Sequence, residues 1–486
     1  MKNKKILNTS MQAEVLTLDP RKNGGHISSV ILFMLFNGLT KFKKNGSISL
    51  SLAKSYKISK DKKKYIFYLK DNIKWSDGKE ITSYDFKKCW EKILIPSFPS
   101  LCTHLLYPIV NAEEIKTGKK NIDSLGVDCM DDKTLIINLN HPTPYFLSLT
   151  SFYLFFPFPY HVEDFSSVNP EKFVCNGPFK LKKWIKNKEI ILEKNPFYWN
   201  KKKISFDTIN IRIIDDKTHN LQMFENGQLD WINSLISPIP PENISKTKNI
   251  GGTTFCTFNT KKFPFNNKNI RKAFNCSINR EDIIKNLHLK KEQIATRCIP
   301  PVMCKNKNLN LIKDNDITTA KELFKKGIQE LNINSKNLKI ILTFENTYKK
   351  LADLLKNRWE KLFNIKISLE PLNAKNAIVR LHKKQFQIAI TMWSLFYDDP
   401  LNILERFKHK NYEKNYSNWE NQKYISLLES LHTKKNKKAK KFILKEAEKL
   451  LIEENPISPI YHHNYLILKN KKTKKIFLGP LGEIIF

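Results

Sequence analysis

Within positions 393–400 the chain sets Trp393, Tyr397 and the adjacent carboxylates Asp398 and Asp399. Indole and phenol rings offer apolar faces and carboxylates accept N–H bonds, so this set suits a ligand with apolar parts and a cation or amide donors. As a catalytic pair the two Asp lack a nearby partner, and Asp399, directly before Pro400, reads better as a turn cap. The residues upstream position them. Phe386, Ile388 and Ile390 alternate with Gln387, Ala389 and Thr391, the period of a strand with one greasier face, and the polar turn 397–400 ends it. A strand therefore delivers a loop. A core strand with a capped turn has the same signature, so other stretches must decide.

At 486 residues the chain exceeds one simple core, and two or three domains are expected. A hydrophobic content of 41% with 11% aromatics describes a globular protein. The formal net charge of +37 invites a nucleic-acid reading. Against it, only eight of the 84 basic residues are Arg, the side chain that reads base edges and phosphates bidentately. The Lys are scattered among Asn and Ile as a codon bias would scatter them. The dense blocks Lys434–Lys441 and Lys469–Lys475 are expected on a helix face and in a loop, as solvated surface. No nucleic-acid partner is expected.

Eight Cys occur without a C-x-x-C pair, the closest being Cys298 and Cys304, which favours buried thiols and leaves one or two disulfides open. H-E-x-x-H, G-x-S-x-G, Walker and G-x-G-x-x-G motifs are all missing, so no enzyme, cofactor or metal is expected. His462 and His463 are adjacent; on an extended segment they point to opposite faces and cannot share a metal. The greasiest run, Tyr145 to Tyr160, is too short for a membrane span and is broken by Pro157 and Pro159. The basic N-terminus lacks an apolar h-region and, as written, is no signal peptide.

In chain order, a strand should end near Leu18-Asp19-Pro20, with an apolar segment over 27–39 and a strand at Tyr65–Leu69. After the turn Trp75-Ser76-Asp77-Gly78 comes an amphipathic helix, capped by Thr82 or Ser83, with Asp85 in its first turn and Phe86, Trp90, Ile93 and Leu94 on its apolar stripe. Thr318 or Thr319 is expected to cap a helix with Ala320, Leu323, Phe324, Gly327, Ile328 and Leu331 as its buried stripe. From Lys339 the pattern is strand, helix, strand: a βαβ unit with Leu351, Leu354, Leu355, Arg358 and Leu362 on the helix stripe.

The block IFYLKDNIKWSDGKEITSYDFKKCWEKIL resembles the hallmark of the family 5 extracellular solute-binding proteins, the oligopeptide- and dipeptide-binding components of ABC importers. LTLDPRKN, NGPFKLKKW at Asn176, LEKNPFYWN at Leu192, the Phe258 block, SINREDII at Ser277 and SPIYHH at Ser458 follow in the family's order, so the resemblance covers essentially the whole chain. It implies an α/β, two-lobed periplasmic-binding-protein type fold with a hinge and ligand cleft, plus an inserted α/β subdomain. Lobe one would comprise 1–38, 165–255 and 465–486; the insert 39–164; lobe two 256–464. It implies a substrate-binding subunit of a peptide importer that holds an extended oligopeptide largely through main-chain hydrogen bonds, with membrane permease subunits as partners. The protein would be a monomer, periplasmic or membrane-anchored on the extracytoplasmic side, with a leader encoded upstream.

Carried onto this chain, the ligand-contacting candidates are Trp393, Ser394, Leu395, Phe396 and Asp398, with Phe255, Thr257, Tyr461 and His462. The family's W-x-x-D-x-x-D-P pattern keeps Trp393 and Asp399-Pro400 but has Phe396 where relatives carry the Asp that accepts the ligand's ammonium. Either Asp398 inherits that role or the anchor is lost; loss is the expectation. The same fold with an N-blocked peptide, another solute or a sensor role is the first alternative, and a basic anionic-surface or nucleic-acid binder the second.

Overall fold

The computed structural model describes residues 4–22, 26–44, 46–162, 169–234, 246–289, 292–303, 309–395, 399–434, 436–474, 476–479 and 484–485. The chain divides into two compact units, the first taking in Met1–Ser234 and Tyr465–Phe486, the second Asn249–Asn464. Residues 39–164, expected as a separate insert, fall within the first unit. The crossing expected at 255–256 lies earlier, at 248–249, because Gly252 to Phe258 pair residue by residue with a strand of the second unit.

In the first unit, Ile6–Met11 runs parallel to Thr208–Ile213, which pairs antiparallel with Glu189–Lys194, itself antiparallel to Phe179–Ile185. Trp231–Ser234 flanks Ile6–Met11 and pairs antiparallel with Leu466–Lys469. A second sheet, antiparallel throughout, orders Ala53–Ile58, Lys64–Leu69, Thr134–Asn138 and Val127–Asp131. The sequence blocks interlock here. Asn176 of NGPF accepts from the Asn37 backbone N–H at 2.8 Å and donates to its carbonyl at 3.1 Å. Gly177 lies so close to Leu35 that a Cβ would meet its carbonyl carbon at 2.4 Å, which explains glycine there. Asn195 ties the next block back to Gly177 at 3.0 Å.

The helix after the Trp75 turn spans Ser83–Leu94 and starts at Thr82, whose N–H donates to the Asp85 carboxylate at 2.8 Å. Its expected stripe of Phe86, Trp90, Ile93 and Leu94 is buried, together with Asp85 itself.

In the second unit, Lys339–Glu345, Lys349–Phe363 and Lys366–Leu372 form the βαβ unit, with the two strands parallel and in register from Lys339↔Lys366 to Glu345↔Leu372. The helix buries Leu351, Ala352, Leu355, Trp359 and Phe363; Arg358 reaches out of the stripe to the Ser277 carbonyl. The helix Ile317–Glu330 is capped by Asp316, not by Thr318 or Thr319: its carboxylate accepts from the Thr319 N–H and hydroxyl. Arg280 of SINREDII is fully buried. Its guanidinium donates to Asp314 at 2.9 Å, to the Pro459 carbonyl at 2.7 Å and to Asn275 at 2.6 Å, which pins the SPIYHH strand to this helix layer. Arg271 likewise donates to the carbonyls of Glu454 and Phe265.

The seven described cysteines are all thiols. No described helix is long and apolar enough to cross a membrane.

Burial pushes the Asp85 carboxyl up from 3.8 to about 6, despite its bond from Thr82. A carboxyl whose folded pKa is raised adds stability that is complete below the unfolded value and is lost as pH rises through about 6. Asp85→Asn keeps the cap acceptor and removes the titration. In chemical denaturation it should therefore flatten the pH dependence between about 4 and 6, by up to about 3 kcal/mol relative to the parent. An unchanged slope contradicts this.

Candidate functional site

Four strands meet around the Trp393 segment. Ile388–Ser394 pairs antiparallel with the Lys246–Phe258 strand from Gly252↔Ser394 to Phe258↔Ile388. The run TTFCTF in the latter is rich in β-branched and aromatic residues, as a strand buried on both faces requires. Beside it lies Ile457–Lys469. On its other edge, Ile388–Ser394 runs parallel to Lys339–Glu345, but only at Leu342↔Ile388 and Thr343↔Ala389. Among the described residues no strand pairs with Ile390 to Ser394 on that side.

The two faces of these strands carry different chemistry. Cys256, Phe258, Ile388, Ile390 and Tyr461 join the core built with the Trp359 helix. On the opposite face Phe255, Thr257, Thr391 and Trp393 follow by alternation. The hydroxyls of Thr257 and Thr391 lie 2.7 Å apart. The Arg406 guanidinium lies 5.9 Å from the Phe255 ring and 5.0 Å from that of Tyr416. Ala389 packs there with Phe386 and Tyr416. Trp393 is buried, and its indole N–H finds no acceptor among the described residues.

His462 and His463 do turn opposite ways. His462 Nδ1 lies 2.8 Å from the Thr253 hydroxyl, and His463 Nε2 2.7 Å from that of Thr254. The His463 ring meets Tyr461 edge-on at 5.1 Å. Among the described residues no group of three His, Cys, Asp or Glu comes together as a metal site.

The structure thus brings Trp393, Phe255, Thr257 and His462 to one face and puts Tyr461 on the other. Phe255 is wholly buried, and the Thr257 hydroxyl lies within hydrogen-bond distance of that of Thr391. Ser394 is half-buried at the strand's end, opposite Gly252, and Leu395 is buried just after it. Phe396 and Asp398, with Tyr397, lie outside the described residues. Asp399 is a turn cap: its carboxylate accepts from the Leu401 N–H at 2.9 Å.

Sequence reasoning missed Thr253, Thr254, Gly252 and Glu345. A Cβ on Gly252 would stand 3.2 Å from the Trp393 carbonyl oxygen and 3.6 Å from the His463 ring, so glycine keeps this crossing close. Glu345 ends the Lys339–Glu345 strand; burial, partly offset by the Thr347 hydroxyl, holds its carboxyl above the usual range. The only signal for the threonines was their match in register with the His pair two hundred residues away, which no local pattern reveals.

Residues 47–415 match the family model described as bacterial extracellular solute-binding proteins, family 5, middle. The chain belongs to that family. Over its whole length it is 32% identical to the oligopeptide-binding protein OppA of Bacillus subtilis (strain 168), covering 100% of this chain and 92% of that one. The family 5 fold is equally clear in solved structures. A periplasmic oligopeptide-binding protein of Borrelia burgdorferi superposes with a TM-score of 0.87 at 29% identity, covering 96% of each chain. The pheromone receptor PrgZ, described with its mode of peptide binding, superposes with a TM-score of 0.91 at 27% identity, covering 99% of this chain and 98% of that one. The fold class is the two-lobed α/β class of periplasmic solute-binding proteins, and the family is one of solute binders.

His462 is pushed down from 6.5 to about 3, first by burial and then by the charges of His463 and Arg297. A histidine whose folded pKa is depressed gives stability that is present above its unfolded value and is lost as pH falls from 6.5 towards 3. His462→Gln should therefore cost about 1–3 kcal/mol near pH 7.5 for the buried hydrogen bond, and should shrink the further loss on acidification to pH 5 by about 2 kcal/mol. Urea unfolding at both pH values checks this; an equal acid loss in parent and variant contradicts it.

Proposed function

We propose that this protein is the substrate-binding subunit of a peptide ABC importer, holding an extended peptide as an added strand along Ile390–Ser394. The observation that carries the reading is the outer edge of that strand, which no strand pairs with beyond Ala389 among the described residues. Beyond Ala389 the neighbouring Lys339–Glu345 strand no longer pairs with it, while Gly252 to Phe258 hold the inner edge in register. In an antiparallel pair every second residue turns both its N–H and its C=O outward, so this edge offers donors and acceptors at two-residue spacing to an incoming backbone. Trp393 adds a buried indole donor at the same place. Support also comes from the names of the relatives, an oligopeptide-binding protein and a peptide-binding receptor.

In this reading the protein works as a monomer on the extracytoplasmic side, delivers peptide to membrane permease subunits and does no chemistry on it. Specificity for sequence is weak because the backbone is read. The position that accepts a ligand ammonium in the family's pattern is Phe396 here. A phenyl ring offers no charge, so N-blocked peptides are admitted as readily as free ones.

Both halves are tested with one short peptide recovered from a binding screen. Methylating its backbone nitrogens one at a time should weaken binding more than about tenfold, roughly 1.4 kcal/mol, at alternate positions only. The N-acetylated and free-amine forms should bind within about tenfold of each other, and Phe396→Asp should shift the preference to the free amine. Equal tolerance of every N-methyl group contradicts the added strand. A strong free-amine preference removed by Asp398→Asn contradicts the loss of the anchor while leaving peptide binding intact.

A further inference from the structure

The first unit contains a cavity of its own, of about 320 Å³, at the small end of small-molecule sites. Four ammonium-bearing side chains line it, Lys41, Lys43, Lys44 and Lys203, and among the described residues no carboxylate lines it. Its remaining walls are largely apolar, including Phe33, Phe156, Ile204, Ile484 and Ile485.

The walls are built, not incidental. Lys41 sits on the short strand Thr40–Phe42, paired with Ile48–Leu50. Asn37, at one side, is fixed by Asn176 and accepts from the Tyr198 hydroxyl at 2.9 Å. Phe33 and Phe156 pack edge to face at 5.9 Å.

Lys41 is the decisive group. It is part-buried, and among the described residues its ammonium has neither an ion pair nor a hydrogen bond; it lies 5.3 Å from the Trp199 ring, over which the Lys70 ammonium also sits at 4.6 Å. Burial, and then the charge of Lys203, hold it below its ordinary range. Exposed lysines carry no such cost, so the chain's general lysine richness does not account for this one. A part-buried cation without a counter-charge costs stability unless an anion joins it.

We propose that this cavity binds a small organic carboxylate, with its head group between Lys41 and Lys203 and its apolar body against Phe33, Phe156 and Ile484. The site lies within one unit and is separate from the Ile390–Ser394 edge in the other.

Calorimetric titration of the purified protein with sodium octanoate, octanamide and inorganic phosphate tests it. Octanoate should bind at least about tenfold more tightly than octanamide or phosphate. Lys41→Met should reduce that preference to within about twofold, and Lys41→Arg should retain it. Without an anion Lys41→Met should melt no lower than the parent, because the unpaired charge is removed; should it fail to fold, Lys203→Met takes its place in the titration. Trp393→Ala should leave octanoate binding unchanged. Equal binding of octanoate and octanamide overturns the proposal. So do phosphate binding as tight as octanoate, loss of octanoate binding in Trp393→Ala, and no octanoate binding up to about 10 mM.

Discussion

Every backbone N–H and C=O in a strand needs a partner, and the strand Ile388–Ser394 is only half supplied. Its inner edge is satisfied along its whole length by Gly252 to Phe258, and among the described residues its outer edge is paired only at Ile388 and Ala389. An unpaired edge invites any extended chain. Here the chain carrying it is locked in place from both faces: by the Trp359 core on one, and by the Thr257–Thr391 contact and Arg406 on the other. A ligand strand that adds to a rigid edge loses less to ordering the protein, and so keeps more of its hydrogen-bond energy as affinity.

The rigidity of the second unit comes from buried cations used as clamps. Arg280 bridges the start of one helix, a loop carboxylate and the strand carrying Pro459. Arg297 and Glu448 form a buried pair in which the carboxylate also accepts from the Ile299 N–H at 2.9 Å. Such groups are costly to bury and strongly destabilising to break, so they fix one arrangement over its competitors. Among the described residues the large positive charge lies mostly in exposed lysines, whereas Lys41 is part-buried and lines a cavity with its ammonium in neither an ion pair nor a hydrogen bond.

Much of the fold was legible because it rests on local signals. The Trp75 turn, the Asp85 cap and the stripe of Phe86 and Trp90 give a helix start to within a residue, and alternation at 365–369 gives a strand. The cap at Asp316 was misplaced by two or three residues, since Asp316, Thr318 and Thr319 are all good caps within four residues and only geometry selects one. The site was legible in part. Trp393, Phe255, Thr257 and His462 share a face and Tyr461 lies on the other, because neighbours on a strand alternate. That register pairs Gly252 with Ser394 and sets Thr253 beside His462 is a long-range fact, absent from any local pattern. The lysine cavity was invisible in a sequence where lysine is everywhere.

The most direct test of the central claim, that this chain holds peptides on its open strand edge, is native mass spectrometry of the protein purified under gentle conditions. The account predicts complexes that release short peptides of mixed sequence on denaturation, and displacement of these peptides by a supplied short peptide but not by the same peptide N-methylated at a nitrogen that faces the strand edge. Preparations that carry only nucleic acid or a non-peptidic solute, or that take up no short peptide from a supplied mixture, would contradict it.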